Sequence, residues 1–187
     1  MNKYEFVDEV WALVPARSGS KRLKNKNLKK IKKLSLVARA IINCKKSKNI
    51  DRVFLSTNSN KIKNEGLKYG AEVPFLRSKK NSHDNSNDFD VIKEFLNKVN
   101  NAEKKIPNHI IFIRPTTPIR ESHVLDKAIK KFRSLKNYDS LISVHEMNEP
   151  VHKKFFIIKD KLKTAIENLT LDQANNLIRL PEYLKDQ

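Results

Sequence analysis

Short apolar runs alternate along this chain with stretches in which apolar residues recur every three or four positions, from residue 10 to about residue 145. The runs are "VWALVP" (10–15), "RVFLST" (52–57), "EVPFL" (72–76), "HIIFIRP" (109–115) and "SLISVH" (140–145). Each is strand-sized with apolar neighbours, the pattern of a strand covered on both faces. Between them, Val91, Ile92, Phe95, Leu96 and Val99 share one helical stripe, and Val124, Leu125, Ala128, Ile129 and Phe132 share another. Ser35 is placed to cap the first helix. Gly70 is placed to end the second, because glycine accepts the left-handed conformation of a helix terminus. Strands alternating with helices predict an α/β domain whose mostly parallel sheet carries helices on both faces.

Beyond Glu146 the rhythm changes. "VHKKFFIIKDKLKTAI" (151–166) reads as strand, turn and strand, with Asp160 and Lys161 near the turn, and "TLDQANNLIRLPEYLKDQ" (170–187) is polar and weakly patterned. A chain of 187 residues suits one well-buried core better than two. The expected organisation is a core over residues 1–145 with an extension over residues 146–187.

Composition narrows the class. With 39% hydrophobic residues the chain should fold despite its charge. Its longest apolar stretches, such as Ile110 to Ile113, are too short to span a bilayer, and "MNKYEFVDEV" lacks the apolar run of a signal peptide. The single cysteine, Cys44, excludes an internal disulfide and a cysteine-built zinc site, which fits a reducing cytoplasm. A cytoplasmic protein without a membrane partner is therefore expected. The net charge of +18 invites a nucleic-acid reading. Its distribution argues otherwise: lysines are spread over nearly every element, and no aromatic residue interleaves the most basic stretch, Lys21 to Lys33.

The chemistry concentrates after the first strand, in "ALVPARSGSKRLKNKN" (12–27). In an open parallel sheet, ligands bind outside the carboxyl ends of the strands. Gly19, between Ser18 and Ser20, permits a tight bend whose N–H groups face an anion, and Arg17, Lys21, Arg22, Lys24 and Lys26 supply cations. The segment reads as a phosphate cradle, or more blandly as a solvated basic loop. It is not a Walker A loop, because Val14 stands where an earlier glycine is needed and Arg22 follows Lys21. The three-glycine dinucleotide pattern fails too, with Gly19 alone. "RPTTPIRES" (114–122) leaves the fourth strand at the same end, so Arg114, Thr116, Thr117 and Arg120 either face the crevice or form a rigid turn before a helix starting at Glu121 or Ser122. "SHDNSNDFD" (82–90) holds three aspartates and a histidine, but reads as a helix start capped by Asn87 or Asp88 rather than a metal site. Asp139, His145, Glu146, His152, Lys153 and Lys154 are not assigned catalytic roles.

Taken in order, "ALVPARSGSKRLKNKNL", "IDRVFLSTNSNKI", "YGAEVPFLR", "IRPTTPIRES" and "SLISVHE" resemble the acylneuraminate cytidylyltransferases, which activate sialic acid and related 2-keto sugar acids, legionaminate and pseudaminate included, as CMP conjugates. The likeness is collinear from Val10 to about Phe156. It implies a Rossmann-like nucleotide-diphospho-sugar transferase fold with a small β extension for dimerisation. The implied reaction is attack by the sugar's anomeric hydroxyl on the α-phosphate of CTP, releasing pyrophosphate.

By the same resemblance Arg17, Lys21 and Lys26 are the catalytic cations at the triphosphate. Ala16, Ser18, Gly19, Ser20 and Arg22 belong to the nucleotide loop, Asn27 and Arg77 lie near the cytosine, and Ser86 and Asp88 lie near the nucleoside. Thr116, Thr117 and Arg120 fall to the sugar acid. Magnesium, a homodimer and a role in surface polysaccharide synthesis are implied as well. The chain departs from the pattern at Arg114, where many relatives have glutamine, and at Asp88, where a small hydroxyl residue is usual. Relatives continue past "LPEY" into an aspartate-rich stretch that helps hold magnesium, and no Asp-x-Asp stretch appears near the end of this chain. A fragment of a longer enzyme, a shortened relative that binds CTP with impaired turnover, and metal ligands from elsewhere all stay open. So does transfer to an eight-carbon keto sugar acid.

Overall fold

The computed structural model describes residues 5–21 and 23–144, and the backbone of residues 155–158 and 161–164. In chain order the elements are β1 (Glu5–Pro15), β2 (Lys30–Ile31), β3 (Leu34–Ser35), α1 (Leu36–Lys45), β4 (Arg52–Ser56), α2 (Asn60–Lys68), α3 (Asp88–Glu103), β5 (Lys105–Phe112), α4 (Ser122–Ser134), β6 (Phe155–Ile158) and β7 (Lys161–Thr164). The chain divides into two compact units, Met1–Leu141 and Ile142–Gln187.

In the first unit, β1 is the centre of a three-stranded parallel sheet in the order β4-β1-β5. Leu13 lies level with Phe54 on one side and Phe112 on the other. Because side chains alternate along a strand, Trp11 and Leu13 point to one face and pack with Phe54 and with Phe95 and Val99 of α3. Ala12 and Val14 point to the other and pack with Val37 and Ile41 of α1, Ile62 of α2 and Leu125 of α4. Both faces are thus covered, which is why the strand reads as one unbroken apolar run. The Trp11, Phe54 and Phe95 rings add specific geometry, with centroids 5.0 Å apart for Trp11–Phe54 and 4.9 Å for Phe54–Phe95.

The helix ends follow the predicted chemistry. Ser35 accepts a hydrogen bond from the Ala38 N–H at 3.1 Å. Gly70 stands after α2 at φ 83°, its N–H on the Leu67 carbonyl at 3.0 Å. Asn87 caps α3 by accepting from the Asp90 N–H at 2.7 Å, and Asp88 and Asp90 put negative charge in the first turn. α4 starts at Ser122 with Glu121 at its N-cap position.

Two predicted strands are corrected. Residues 72–76 form no strand; only Glu72 bridges Phe54, because Pro74 has no N–H to extend the ladder. Residues 140–144 form no strand either, and Leu141, Ile142 and Val144 are exposed. Apolar alternation describes a surface that fits a sheet but does not supply the neighbouring edge. β1 also begins at Glu5, ahead of its apolar run, because Glu5 to Val7 pair with Lys105 to Pro107 before a register break between Val7 and Val10.

In the second unit β6 and β7 pair antiparallel, Ile158 opposite Lys161, as the strand, turn and strand reading expects. Arg22, His145, Glu146, His152, Lys153, Lys154, Asp160 and the tail from residue 165 lie outside the described residues. Among the described residues no helix is long and apolar enough to cross a membrane.

Candidate active site

The loop leaving β1 stays attached to the sheet at its start. The buried Ala16 donates its N–H to the Ser56 carbonyl at 2.9 Å, at the carboxyl end of β4. Asn58, just beyond that strand, accepts from the Ser18 N–H at 2.8 Å and from the Ser18 hydroxyl at 3.1 Å. Gly19 then turns at φ 78°, a conformation that favours glycine. Among the described residues the N–H groups of Gly19, Ser20 and Lys21 donate to no protein acceptor. The loop closes on itself through Asn27, which is buried and donates its side-chain N–H to the Arg17 carbonyl at 2.9 Å. Asn27 is therefore a brace for the loop.

The Arg17 guanidinium donates to Oδ1 of Asp84, and the Lys21 ammonium lies 2.8 Å from Oδ2 of the same residue. Lys21 and then Arg17 hold the Asp84 carboxyl below the usual range. Lys24 and Lys26 make no ion pair among the described residues.

Arg77 stands beside this loop, buried to 8% exposure. Its backbone N–H meets the Thr57 carbonyl at 2.7 Å, and its guanidinium donates to the Ser56 hydroxyl at 3.0 Å and carbonyl at 2.5 Å. Burial pulls Arg77 down to about 10, opposed by the charge of Glu94, reinforced by Arg17 and opposed again by Asp88. It is still a cation at neutral pH. Glu94, in turn, would be raised by burial. Hydrogen bonds from Lys98, the Ser78 N–H, the Ser78 hydroxyl and Asn81 outweigh this and leave it at about 2. Glu94 thereby ties residues 78–81 to α3, with the Ser78 N–H and hydroxyl each 2.8 Å away and Asn81 2.6 Å away.

From this anchorage, residues 83–88 cross the carboxyl ends of the strands as a strap. Asp84 reaches Arg17 and Lys21, and Asp88 pairs with Arg114 from the loop after β5. Ser86 turns its hydroxyl onto the Lys80 carbonyl at 3.2 Å, inside the strap. Thr116 and Thr117 are exposed after β5, where the Thr117 N–H faces the Arg114 carbonyl at 3.4 Å. Arg120 lies apart, its carbonyl accepting from Asn43 of α1 at 2.7 Å. With Arg39, Asn43, Lys46 and Ile119 it lines a shallow hollow of about 240 Å³ on α1.

The structure thus gathers Ala16, Arg17, Ser18, Gly19, Ser20, Lys21, Asn27, Arg77, Asp88 and Arg114 around one rim, and leaves Arg120 outside it. Asn58 and Asp84 were not foreseen as site residues. For Asn58 a signal existed, since "STNSN" occupies the carboxyl end of a strand as the other site loops do. Asp84 was legible only as part of an acidic helix start.

The described residues do not fit a protein-held magnesium site. No three of the His, Cys, Asp and Glu residues among them cluster, and Asp84 and Asp88 are both engaged by cations.

Comparison with known proteins agrees with this architecture. A family model described as cytidylyltransferase matches residues 11–178. Pseudaminic acid cytidylyltransferase of Campylobacter jejuni is 30% identical over 146 residues, 78% of this chain and 62% of that protein, so less than two thirds of its length is spanned. Post-translational flagellin modification protein B of Campylobacter coli is 31% identical over 169 residues, 90% of this chain and 72% of that protein. Among solved structures, CMP:2-keto-3-deoxy-manno-octonic acid synthetase complexed with CTP superposes with a TM-score of 0.55 and 17% identity, over 67% of this chain and 47% of the other. That likeness shows a shared Rossmann-like nucleotidyltransferase fold.

Proposed function

We propose, since this chain belongs to the cytidylyltransferase family, that it transfers CMP from CTP to the anomeric hydroxyl of a 2-keto sugar acid and releases pyrophosphate. One observation carries the reading: Arg17 and Lys21 already converge on a single anion at the carboxyl end of the central strand. In the reaction a bond forms between the anomeric oxygen and the α-phosphorus as the bond from that phosphorus to the bridging oxygen breaks. The electron pair leaves with pyrophosphate, and the hydroxyl proton passes to a general base. Arg17 and Lys21 neutralise the charge growing on the leaving group, a role Lys26 would share, while the N–H groups of Gly19, Ser20 and Lys21, which meet no acceptor among the described residues, offer donors to phosphate oxygens. Arg114, Thr116 and Thr117 offer the neighbouring loop to the sugar's carboxylate.

The name of one relative supports pseudaminic acid or a similar sugar acid, and that of the structural neighbour keeps an eight-carbon acid in view. The β6–β7 hairpin of the second unit is the proposed dimer contact, which gel filtration of the full chain tests: monomer alone refutes it. The sole cysteine, buried and unpaired, accords with a cytoplasmic setting. Magnesium is proposed to enter with CTP as the triphosphate's counter-ion, so that EDTA abolishes turnover.

The test is pyrophosphate release from CTP and Mg²⁺ with a panel of eight- and nine-carbon keto acids. Release with one of them supports the proposal. The absence of an acidic cluster among the described residues favours a second reading, a CTP binder without turnover. Tight CTP binding with no release across the panel would establish that alternative.

A further inference from the structure

Asp84 is the group at this site that the proposed chemistry does not use. Its two carboxylate oxygens are divided between the two cations meant for phosphate, one to Arg17 and one to Lys21. A carboxylate and a phosphate present the same kind of oxygen to the same donors, and the guanidinium fork suits either. Resting on the phosphate-loop reading above, we infer that Asp84 is a built-in occupant of the phosphate seat: it holds Arg17 and Lys21 together in the nucleotide-free chain and is exchanged for phosphate oxygens when a polyphosphate binds.

Three observations carry the inference. The first is charge balance: two cations share one carboxylate, so a polyphosphate, with more charge and more oxygens, is the better partner for the pair. The second is exposure. The Lys21 side chain is 83% exposed, and its one ion pair among the described residues is with Asp84, so this carboxylate draws it towards Arg17. The third is tethering. Asp84 rides on a strap held at one end by Ser78 and Asn81 on Glu94, and at the other by Asn87 and by Asp88 on Arg114. A short strap fixed at both ends keeps a displaced carboxylate close by at high effective concentration. It can therefore reclaim the cations as pyrophosphate departs. Asp84 acts through Arg17 and Lys21, as a positioning residue and an internal competitor.

The expected result has a definite sign. Asp84→Asn keeps the shape but removes the competing charge, so inorganic pyrophosphate, titrated calorimetrically into the full chain, binds about three- to tenfold more tightly than to the wild type. In turnover assays, product inhibition by pyrophosphate strengthens by the same factor. Asp84→Ser serves as a second charge-removing variant, with thermal unfolding as the check that each is folded. In the wild type, pyrophosphate should speed amide exchange over residues 83–86 as the strap is released, a measurement that needs no variant. Equal or weaker pyrophosphate binding by folded variants overturns the inference while leaving the phosphate seat intact, as does unchanged or slower exchange. Failure of wild type and variants alike to bind pyrophosphate overturns the seat itself, and the proposed function with it.

Discussion

Two arginines at opposite ends of the same sheet are exposed to nearly the same degree, 27% for the Arg52 side chain and 29% for Arg17, yet they are built for different ends. Arg52 opens β4 and meets two carboxylates, Glu72 at 2.5 Å and Glu103 at 2.6 Å. Its guanidinium also lies over the rings of Trp11 and Phe54, 4.7 Å and 4.6 Å from their centroids. The hydrogen bonds to Glu72 and then Glu103 push its pKa further up. Arg17, past the end of β1, shares a single carboxylate with Lys21. One cluster has two anions for a cation and an aromatic floor; the other has two cations for an anion and open N–H groups. Charge balance and surroundings separate the saturated cluster from the unsaturated one here, and exposure does not.

Four substitutions break or sharpen that contrast. The largest effect is expected from Lys21→Ala or Arg17→Ala, which should slow pyrophosphate release by roughly 10²- to 10³-fold, with kcat falling more than KM rises, while the thermal midpoint hardly moves. A rise in KM with kcat unchanged would place these cations in ground-state binding instead. Arg52→Ala should do the reverse, lowering stability by about 2 kcal/mol in urea unfolding with kcat per folded molecule unchanged. A kinetic defect without a stability loss there would undo the distinction.

The smallest effect concerns Glu94, the anchor of the strap. Its folded pKa, about 2, lies below the ordinary 4.5, so its stabilising contribution is complete above 4.5 and is lost as pH falls towards 2. The stability of Glu94→Gln should accordingly decline less steeply over that window than that of the wild type, by about 1 kcal/mol in all after allowance for solvent screening. Parallel curves would mean that the anchor is electrostatically idle.

The legible parts of the molecule are those governed by local chemistry. Continuous apolar runs at residues 10–15 and 52–57 marked strands buried on both faces, and Ser35, Asn87 and Gly70 marked helix ends. The basic loop was legible as a candidate because its place after the first strand puts its cations at the carboxyl end of the sheet. What escaped depended on partners distant along the chain. Asp84 meets Arg17, and Asn58 meets Ser18, through the packing of separate elements; the place of Asn58 after a strand was a signal for it, and the spacing of Asp84 offered none. Arg77, read as a nucleotide contact, directs its donors into the end of β4. The segments at 72–76 and 140–144 failed as strands for a related reason, since neither proline chemistry nor the existence of an edge is written into hydrophobicity.

Cys44, the sole cysteine, is sealed beneath α1, where burial drives the thiol up to about 12 against a smaller downward pull from Arg120. Maleimide should find no thiolate until the whole domain opens, which makes alkylation of the native protein an unfolding clock. A second cysteine introduced on the strap would be the one quickly reacting handle, so a fluorophore could follow that segment without first editing the native thiol away.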